Sequence, residues 1–227
     1  MKKKNIHAII LARGGSKGIK NKNLISIKKK PLIYWSIKSA LNCNIIDKVW
    51  VSSDSSKILT LSKKFGANTI KRPKKLSSDN SSSESGWLHS TNYIKKKFQV
   101  DYIVAVQATS PMRHKNDFFR ALNKFFKEKN DSLFSSSIND SYFRWKIYNN
   151  KMFPNYKIKD KRARRQYIKQ ELIENGSFYI FKSKGFLKNK KRLFGKIGTY
   201  IQKKYYSFEL DDQDDLVIIK SIMKYLG

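Results

Sequence analysis

The chain is poor in the features that mark secreted or membrane proteins. Cys43 is the single cysteine in 227 residues. No intrachain disulfide can form, which fits a reducing compartment. No apolar run approaches the ~20 residues of a membrane-spanning helix. The start, "MKKKNIHAIILARGG", resembles a signal peptide only superficially, because its apolar run is short and ends in Arg13 with no small-residue cleavage site. The expectation is a soluble cytoplasmic protein with no membrane partner. Histidine is scarce too. His7, His89 and His114 have neither metal-ligand spacing nor a partner acid, which argues against a histidine catalyst. There is no internal repeat and no Pro- or Gly-rich linker. The Ser-rich patch Leu76–Gly86 comes nearest to low complexity, so residues 1–227 read as one domain.

Acidic residues are few: 17 Asp and Glu face 49 Lys and Arg, a net charge of +32. A charge of that size suits a polyanion partner such as nucleic acid. The lysines, however, are scattered through Lys2–Lys4, Lys28–Lys30, Lys95–Lys97 and Lys188–Lys191, and no nucleic-acid-binding signature accompanies them. Solvated surface charge from a biased composition is the better reading, and nucleic acid is not expected as a partner.

A hydrophobic content of 40% is enough for a core without staples. The first half alternates strand and helix. His7–Ala12, Val49–Asp54 and Asp101–Pro111 read as strands. Leu32, Ile33, Ile37, Ala40 and Leu41 form one helical stripe after Pro31. Ile58, Leu61 and Phe65 mark a helix closed by Gly66. Phe118, Phe119, Leu122, Phe125 and Phe126 mark another. Such alternation predicts βαβ units and a mostly parallel α/β sheet. In the second half, "YFRWKIYNNKMFP" and Ser177–Phe181 are strand-like. The chain closes with a strand, an acidic turn and a helix bearing Leu216, Ile219, Ile222, Met223 and Leu226, which puts Glu209–Asp215 at a strand's C-terminal end.

The chemistry concentrates in "AIILARGGSKGIKNKNL", Ala8–Leu24, where Gly14, Gly15 and Gly18 are interleaved with Arg13, Lys17, Lys20 and Lys22. Glycines let backbone N–H groups approach an anion, and the cations neutralise phosphate oxygens. The stretch is neither a Walker A loop nor a dinucleotide fingerprint. At the other end, Glu209 and Asp211 alternate on an extended segment and point to one side. One or two carboxylates completed by phosphate oxygens and water are what Mg²⁺ prefers. Asp212 and Asp214 read as caps and first-turn acids of the last helix.

The first stretch closely resembles the nucleotide-binding signature of the CMP-N-acylneuraminate (sialic acid) synthetases, a cytidylyltransferase family. "VSSDS" (Val51–Ser55), "KRPKKLSSDNSSS" (Lys71–Ser83), "VQATSPMR" (Val106–Arg113), "ENGSFYIF" (Glu174–Phe181) and "FELDDQDDL" (Phe208–Leu216) match in order across the chain. The resemblance implies a three-layer, Rossmann-like nucleotide-diphospho-sugar transferase fold with a protruding dimerisation arm over 140–175, and a homodimer. It also implies a nucleotidyltransferase for surface glycan synthesis. In that reaction the C2 hydroxyl of a nine-carbon 2-keto sugar acid attacks the α-phosphate of CTP, giving CMP-sugar and pyrophosphate. Related enzymes act on legionaminic, pseudaminic or octulosonic acids, and some use GTP.

By motif position the resemblance puts Leu11, Ala12, Arg13, Gly14, Ser16, Lys17, Lys22 and Asn23 at the nucleotide, with Arg13 and Lys17 at the transferring phosphate. Arg72 and Ser83 fall at the cytosine pocket, although Asp79 and the neighbouring serines also suit a helix cap. Gln107, at the end of a central strand, falls at the sugar acid, as do Arg165 and Asn175. Ser110 and Arg113 share the Gln107 loop. Asp211 and Glu209 fall at Mg²⁺, or Mn²⁺ in its place, and Asp215 behind them. Glu209 stands where the family usually has Asp. Phe194 falls where the family has aromatics from a neighbouring subunit near the sugar, and Arg192, close by, departs from that pattern. Arg144 and Lys146 are weaker candidates for the sugar pocket.

Overall fold

A computed structural model of the chain describes residues 4–15, 18–139, 143–156, 165–167 and 169–226, and for Arg165 the backbone alone. In chain order the strands are β1 (Ile6–Leu11), β2 (Ser26–Ile27), β3 (Lys30–Pro31), β4 (Lys48–Ser53), β5 (Asn68–Lys71), β6 (Tyr102–Gln107), β7 (Ser132–Asn139), β8 (Trp145–Tyr148), β9 (Lys151–Pro154), β10 (Glu171–Lys182) and β11 (Ile197–Ile201). The helices are α1 (Leu32–Leu41), α2 (Ser56–Lys64), α3 (Ser83–Lys95), α4 (Asp117–Lys127), α5 (Ser183–Asn189) and α6 (Gln213–Tyr225).

Seven strands form one sheet in the order β11-β7-β10-β6-β1-β4-β5. It is mostly parallel, and β10 runs antiparallel to both neighbours, β6 and β7. Alternation along each central strand makes the three layers. Ala8, Ile10, Val49, Val51, Val104 and Val106 point to one face, where α1, α2 and α4 cover them. Ile9, Trp50, Ile103 and Ala105 point to the other, against Trp87 and Ile94 of α3 and Phe186 of α5. Both faces are buried, so these strands read as nearly continuous apolar runs. A smaller cluster of Ile19, Ile27, Leu32, Leu210, Ile219 and Met223 packs α6 over the loops at the C-terminal ends of β1 and β6.

Four expectations need correction. Leu41 and Phe119 lie off the buried stripes of α1 and α4 and are exposed, as is Leu226 beyond α6. Phe208–Asp211 is not a strand. It crosses the sheet's end as irregular chain, held by the Leu210 N–H on the Thr109 carbonyl (2.9 Å) and by the fully buried Leu210 side chain. The outermost pair, β7 and β11, is absent from the sequence reading, because "SLFSSSIN" and "IGTYI" are rich in serine or carry glycine. Finally, Phe194 packs within its own subunit, its ring against Gly185 of α5. The β8–β9 hairpin stands apart from the main sheet and exposes Trp145, Ile147, Tyr148, Met152 and Phe153.

His7 belongs to the core and not to any site. Trp50 Nε1 can only donate, so at 3.0 Å it fixes His7 Nδ1 as acceptor, and Nε2–H then donates to the Gln99 carbonyl at 3.0 Å. Burial pulls the imidazole below its usual value, and protonation would break the Trp50 bond. Between that lowered value and the ordinary ~6.5, the unfolded chain binds more protons than the folded one, so stability rises with pH and is lost on acidification. The thermal midpoint should therefore fall as pH drops below about 6.5. His7→Asn, which does not titrate, should flatten that slope when melting is followed from pH 4.5 to 8.

Candidate active site

Two cavities open side by side at the C-terminal end of the sheet, of about 460 and 480 Å³. Gln107, Glu209 and Asp211 line both, so the wall between the cavities consists of one amide and two carboxylates.

The first cavity is built on the loop after β1. Leu11, Arg13, Lys22 and Asn23 line it, with Arg72 at the end of β5 and Ser83 at the start of α3 opposite. Lys22 is buried, and its Nζ meets Asp211 Oδ1 at 2.9 Å. Arg13 Nη1 meets Asp79 Oδ1 at 2.6 Å across the mouth, so Asp79 is a counter-ion of this loop. Ser82 caps α3, accepting from the Ser85 N–H. Asn23 Nδ2 donates to the Arg13 carbonyl at 3.0 Å, while its buried Oδ1 has no partner among the described residues. The Arg72 guanidinium is buried, its Nε on Ser77 Oγ at 2.8 Å; burial lowers its pKa, and Arg13 lowers it further against the pull of Asp54. Ala12 and Gly14 do not line the cavity: Ala12 is core, and the Gly14 N–H donates to Asp54 Oδ1 at 2.9 Å. Ser16 and Lys17 lie outside the described residues.

Two glycines let the acidic segment in. A Cβ on Gly18 would collide with the Asp211 carbonyl, and one on Gly176 (φ +64°) with the Glu209 carboxylate. Glu209 accepts from Ser110 Oγ at 3.3 Å. Burial, then the neighbouring Asp211, raises its pKa despite Ser110, Arg113 and Lys22. Asp215 Oδ2 accepts from the N–H groups of Asp211 (2.8 Å) and Asp212 (3.1 Å), while Asp212 Oδ1 accepts from the Asp215 N–H, closing a capping box on α6. Asp215 thereby holds the backbone of Asp211. Among the described residues no group of three or more His, Cys, Asp or Glu could hold a metal ion. Any cation here has the two carboxylates Glu209 and Asp211, and needs the rest of its shell from ligand oxygens and water.

The second cavity is walled by Gln107, Glu174, Asn175, Tyr179 and Phe208. The Asn175 amide is fully spent: Oδ1 accepts from Ser135 Oγ and the Ser177 N–H, and Nδ2 donates to Gln202 Oε1 and Ser207 Oγ. It frames the cavity and offers no free hydrogen-bonding group. Arg165 begins a short 3-10 turn, Arg165–Tyr167, and its side chain lies outside what is described. Arg144 is exposed on the β8–β9 side, 3.5 Å from Glu171.

Arg113 is structural. Half-buried, it donates to Ser36 Oγ (3.0 Å) and to the carbonyls of Gln107 (2.9 Å) and Ser177 (2.7 Å). Burial lowers its pKa to about 10, against Asp117 and Glu209. The sequence marks Arg113 only as a neighbour of Gln107.

Similarity to known proteins follows this geometry. Residues 7–224 match the cytidylyltransferase family model. The chain is 36% identical over 214 residues to N-acylneuraminate cytidylyltransferase A of Danio rerio, covering 92% of this chain and 49% of that protein. It is 30% identical over 220 residues to the pseudaminic acid cytidylyltransferase of Campylobacter jejuni, covering 95% of each. The chain thus spans about half the length of the fish relative. In fold it resembles the solved CMP:2-keto-3-deoxy-manno-octonic acid synthetase complexed with CTP (TM-score 0.72, 16% identity, 98% and 100% of the two chains covered). It also resembles 4-diphosphocytidyl-2C-methyl-D-erythritol synthase of Anaerococcus prevotii (TM-score 0.70, 13% identity, 98% and 100% covered). Among the described residues no helix is long and apolar enough to cross a membrane. A match over nearly the whole chain, on a sheet that ends in paired cavities and a shared carboxylate pair, makes this chain a member of the cytidylyltransferase family.

Proposed function

We propose that the chain transfers the cytidylyl group of CTP to the C2 hydroxyl of a nine-carbon 2-keto sugar acid, releasing pyrophosphate. The observation that carries this reading is that two cavities share Gln107, Glu209 and Asp211. Two reactants seated side by side would meet there, which converts an encounter into a positioned in-line attack. The nucleotide belongs to the first cavity, where Arg13 and Lys22 exchange Asp79 and Asp211 for triphosphate oxygens. Arg72 and Ser83 lie on the base side, and the free Asn23 Oδ1 accepts a ribose hydroxyl. The sugar acid belongs to the second cavity, with Gln107 between the two.

Both substrates are anions, so their approach needs opposing charge at the junction. Glu209 and Asp211 fit a divalent cation: two hard oxygen donors, one destabilised as a carboxylate by its surroundings, beside the phosphate cavity. Mg²⁺, or Mn²⁺, bound there would neutralise charge on the α-phosphate. The relatives' names support both neuraminate-type and pseudaminate-type acids as acceptors. We also propose a homodimer joined through the β8–β9 hairpin, on which Ile147 and Met152 are 77% and 69% exposed.

Four nucleoside triphosphates should be tested against eight- and nine-carbon 2-keto acids, with pyrophosphate release as the readout. CTP with a nine-carbon acid is the expected productive pair, and no turnover by any pair would overturn the reading. Asp211→Asn should lower kcat/KM at least about a hundredfold, the scale of a lost charge-stabilising group. Arg13→Ala should raise the KM for CTP about tenfold, one charge-assisted contact's worth. Both variants should melt within a few degrees of the parent. Light scattering should give twice the chain mass, and Ile147→Lys with Met152→Lys should halve it.

A further inference from the structure

Away from the shared wall, four side chains form a continuous polar path from one cavity to the other. Glu84 follows Ser83 at the start of α3, where Ser83 lines the first cavity. Its carboxylate takes a fork from Arg192, with Nε on Oε1 at 2.5 Å and Nη2 on Oε2 at 3.0 Å. The Arg192 guanidinium lies over two rings, 4.8 Å from the centroid of Tyr179 and 5.1 Å from that of Trp87. Held under that cation, Tyr179 turns its hydroxyl outward and donates to Glu174 Oε1 at 2.5 Å. Tyr179 and Glu174 both line the second cavity.

Charge decides what this end of the cavity can read. The described lining carries the carboxylates Glu174, Glu209, Asp211 and Asp215 against one lysine, Lys204. A carboxylate fixed in such a wall repels the carboxylate of an incoming acid and attracts its hydroxyl and amide N–H donors. Tyr179 engages one oxygen of Glu174 and leaves acceptor capacity for the cavity.

We propose that Glu174 is a specificity-determining acceptor for hydroxyl or N–H donors of the sugar acid, and that Arg192, acting through Tyr179, is the positioning residue that aims it and ties it to the start of α3 at the nucleotide cavity. The proposal rests on the substrate pair assigned above. Filling the first cavity fixes α3, the Glu84–Arg192 fork fixes Tyr179, and Tyr179 fixes the acceptor. Nucleotide and sugar acid should then tighten each other's binding, equally in both directions.

The test uses the intact protein, CTP, and whichever of N-acetylneuraminate, pseudaminic, legionaminic and 3-deoxy-manno-octulosonic acids turns over best. Glu174→Gln and Tyr179→Phe should each raise the KM for that acid about tenfold, the scale of one hydrogen bond to a charged group. Each should leave kcat within about threefold and the calorimetric Kd for CTP within about twofold, the split expected of a lost ground-state contact. Arg192→Gln should raise the acid KM similarly. It should also abolish the mutual tightening of acid and CDP, which has no pyrophosphate to lose, and Arg192→Lys should restore part of it. If Arg192→Gln does not fold, Tyr179→Phe, which keeps the ring and removes only the hydroxyl, carries the test. Wild-type turnover with an acid KM unchanged in both Glu174→Gln and Tyr179→Phe overturns this inference alone. Absence of wild-type turnover with all four acids overturns the functional reading and the inference with it.

Discussion

The site hangs on the half-buried guanidinium of Arg113. Three elements meet at one point, the end of β6 at Gln107, the bulged stretch of β10 at Ser177 and the middle of α1 at Ser36, and Arg113 donates to a group on each. Taking an arginine even partly out of water is costly unless its donors and its charge are answered. Here two carbonyls and a hydroxyl answer most of the donors, and Asp117 and Glu209 answer the charge. The arrangement works in both directions. The positive charge of Arg113 eases the burial of Glu209, so the same cation that pins the strand ends helps keep a carboxylate in the wall between the cavities. Removing Arg113 would leave Glu209 more isolated and Gln107 unanchored at once.

Around that pin the acidic segment is placed by close approach and not by pairing in the sheet. The Leu210 N–H on Thr109 is its backbone tie, and the Leu210 side chain is sealed under α6. On either side, Gly18 and Gly176 let the backbone of Asp211 and the carboxylate of Glu209 come nearer than any side chain would permit. The result is two carboxylates brought together at an energetic cost, visible in the raised pKa of Glu209. Such a cost is stored at a site when another charge is meant to offset it. Lys22 supplies part of that offset from the nucleotide side.

The central architecture is legible in the sequence because its signal is local. The paired-face strands β1, β4 and β6 are short apolar runs, and the helices between them carry a clear 3.6-residue stripe. What escapes is set by partners distant in the chain. β7 has serines at buried positions, tolerated because Ser135 and Ser136 reach Asn175 and Thr199 and so need no water. Asp79 resembles a cap by composition, yet Ser82 caps the helix and Asp79 turns to Arg13, 66 residues earlier. Asn175 resembles a ligand by motif, yet four partners exhaust its amide. Arg192 reads as a departure from a pattern, and only the fold reveals Glu84 and Tyr179 waiting for it. In each case the sequence names the group, and the count of partners decides what it is free to do.

The same distinction resolves the charge. Among the described residues, the cations built into the site or its floor are buried Lys22 and Arg72, together with half-buried Arg113 and Arg13. In a low-dielectric setting one such charge outweighs several solvated ones. Elsewhere lysine stands where chemistry gives it no advantage. Lys28 and Lys29 both take positive φ in the β2–β3 turn, and Lys129 and Lys190 do so after α4 and α5. These are positions that glycine or asparagine fills at lower cost, in hairpin turns and helix ends alike. Within the net charge of +32, the described cavities thus draw on a few cations that folding has partly or wholly removed from water.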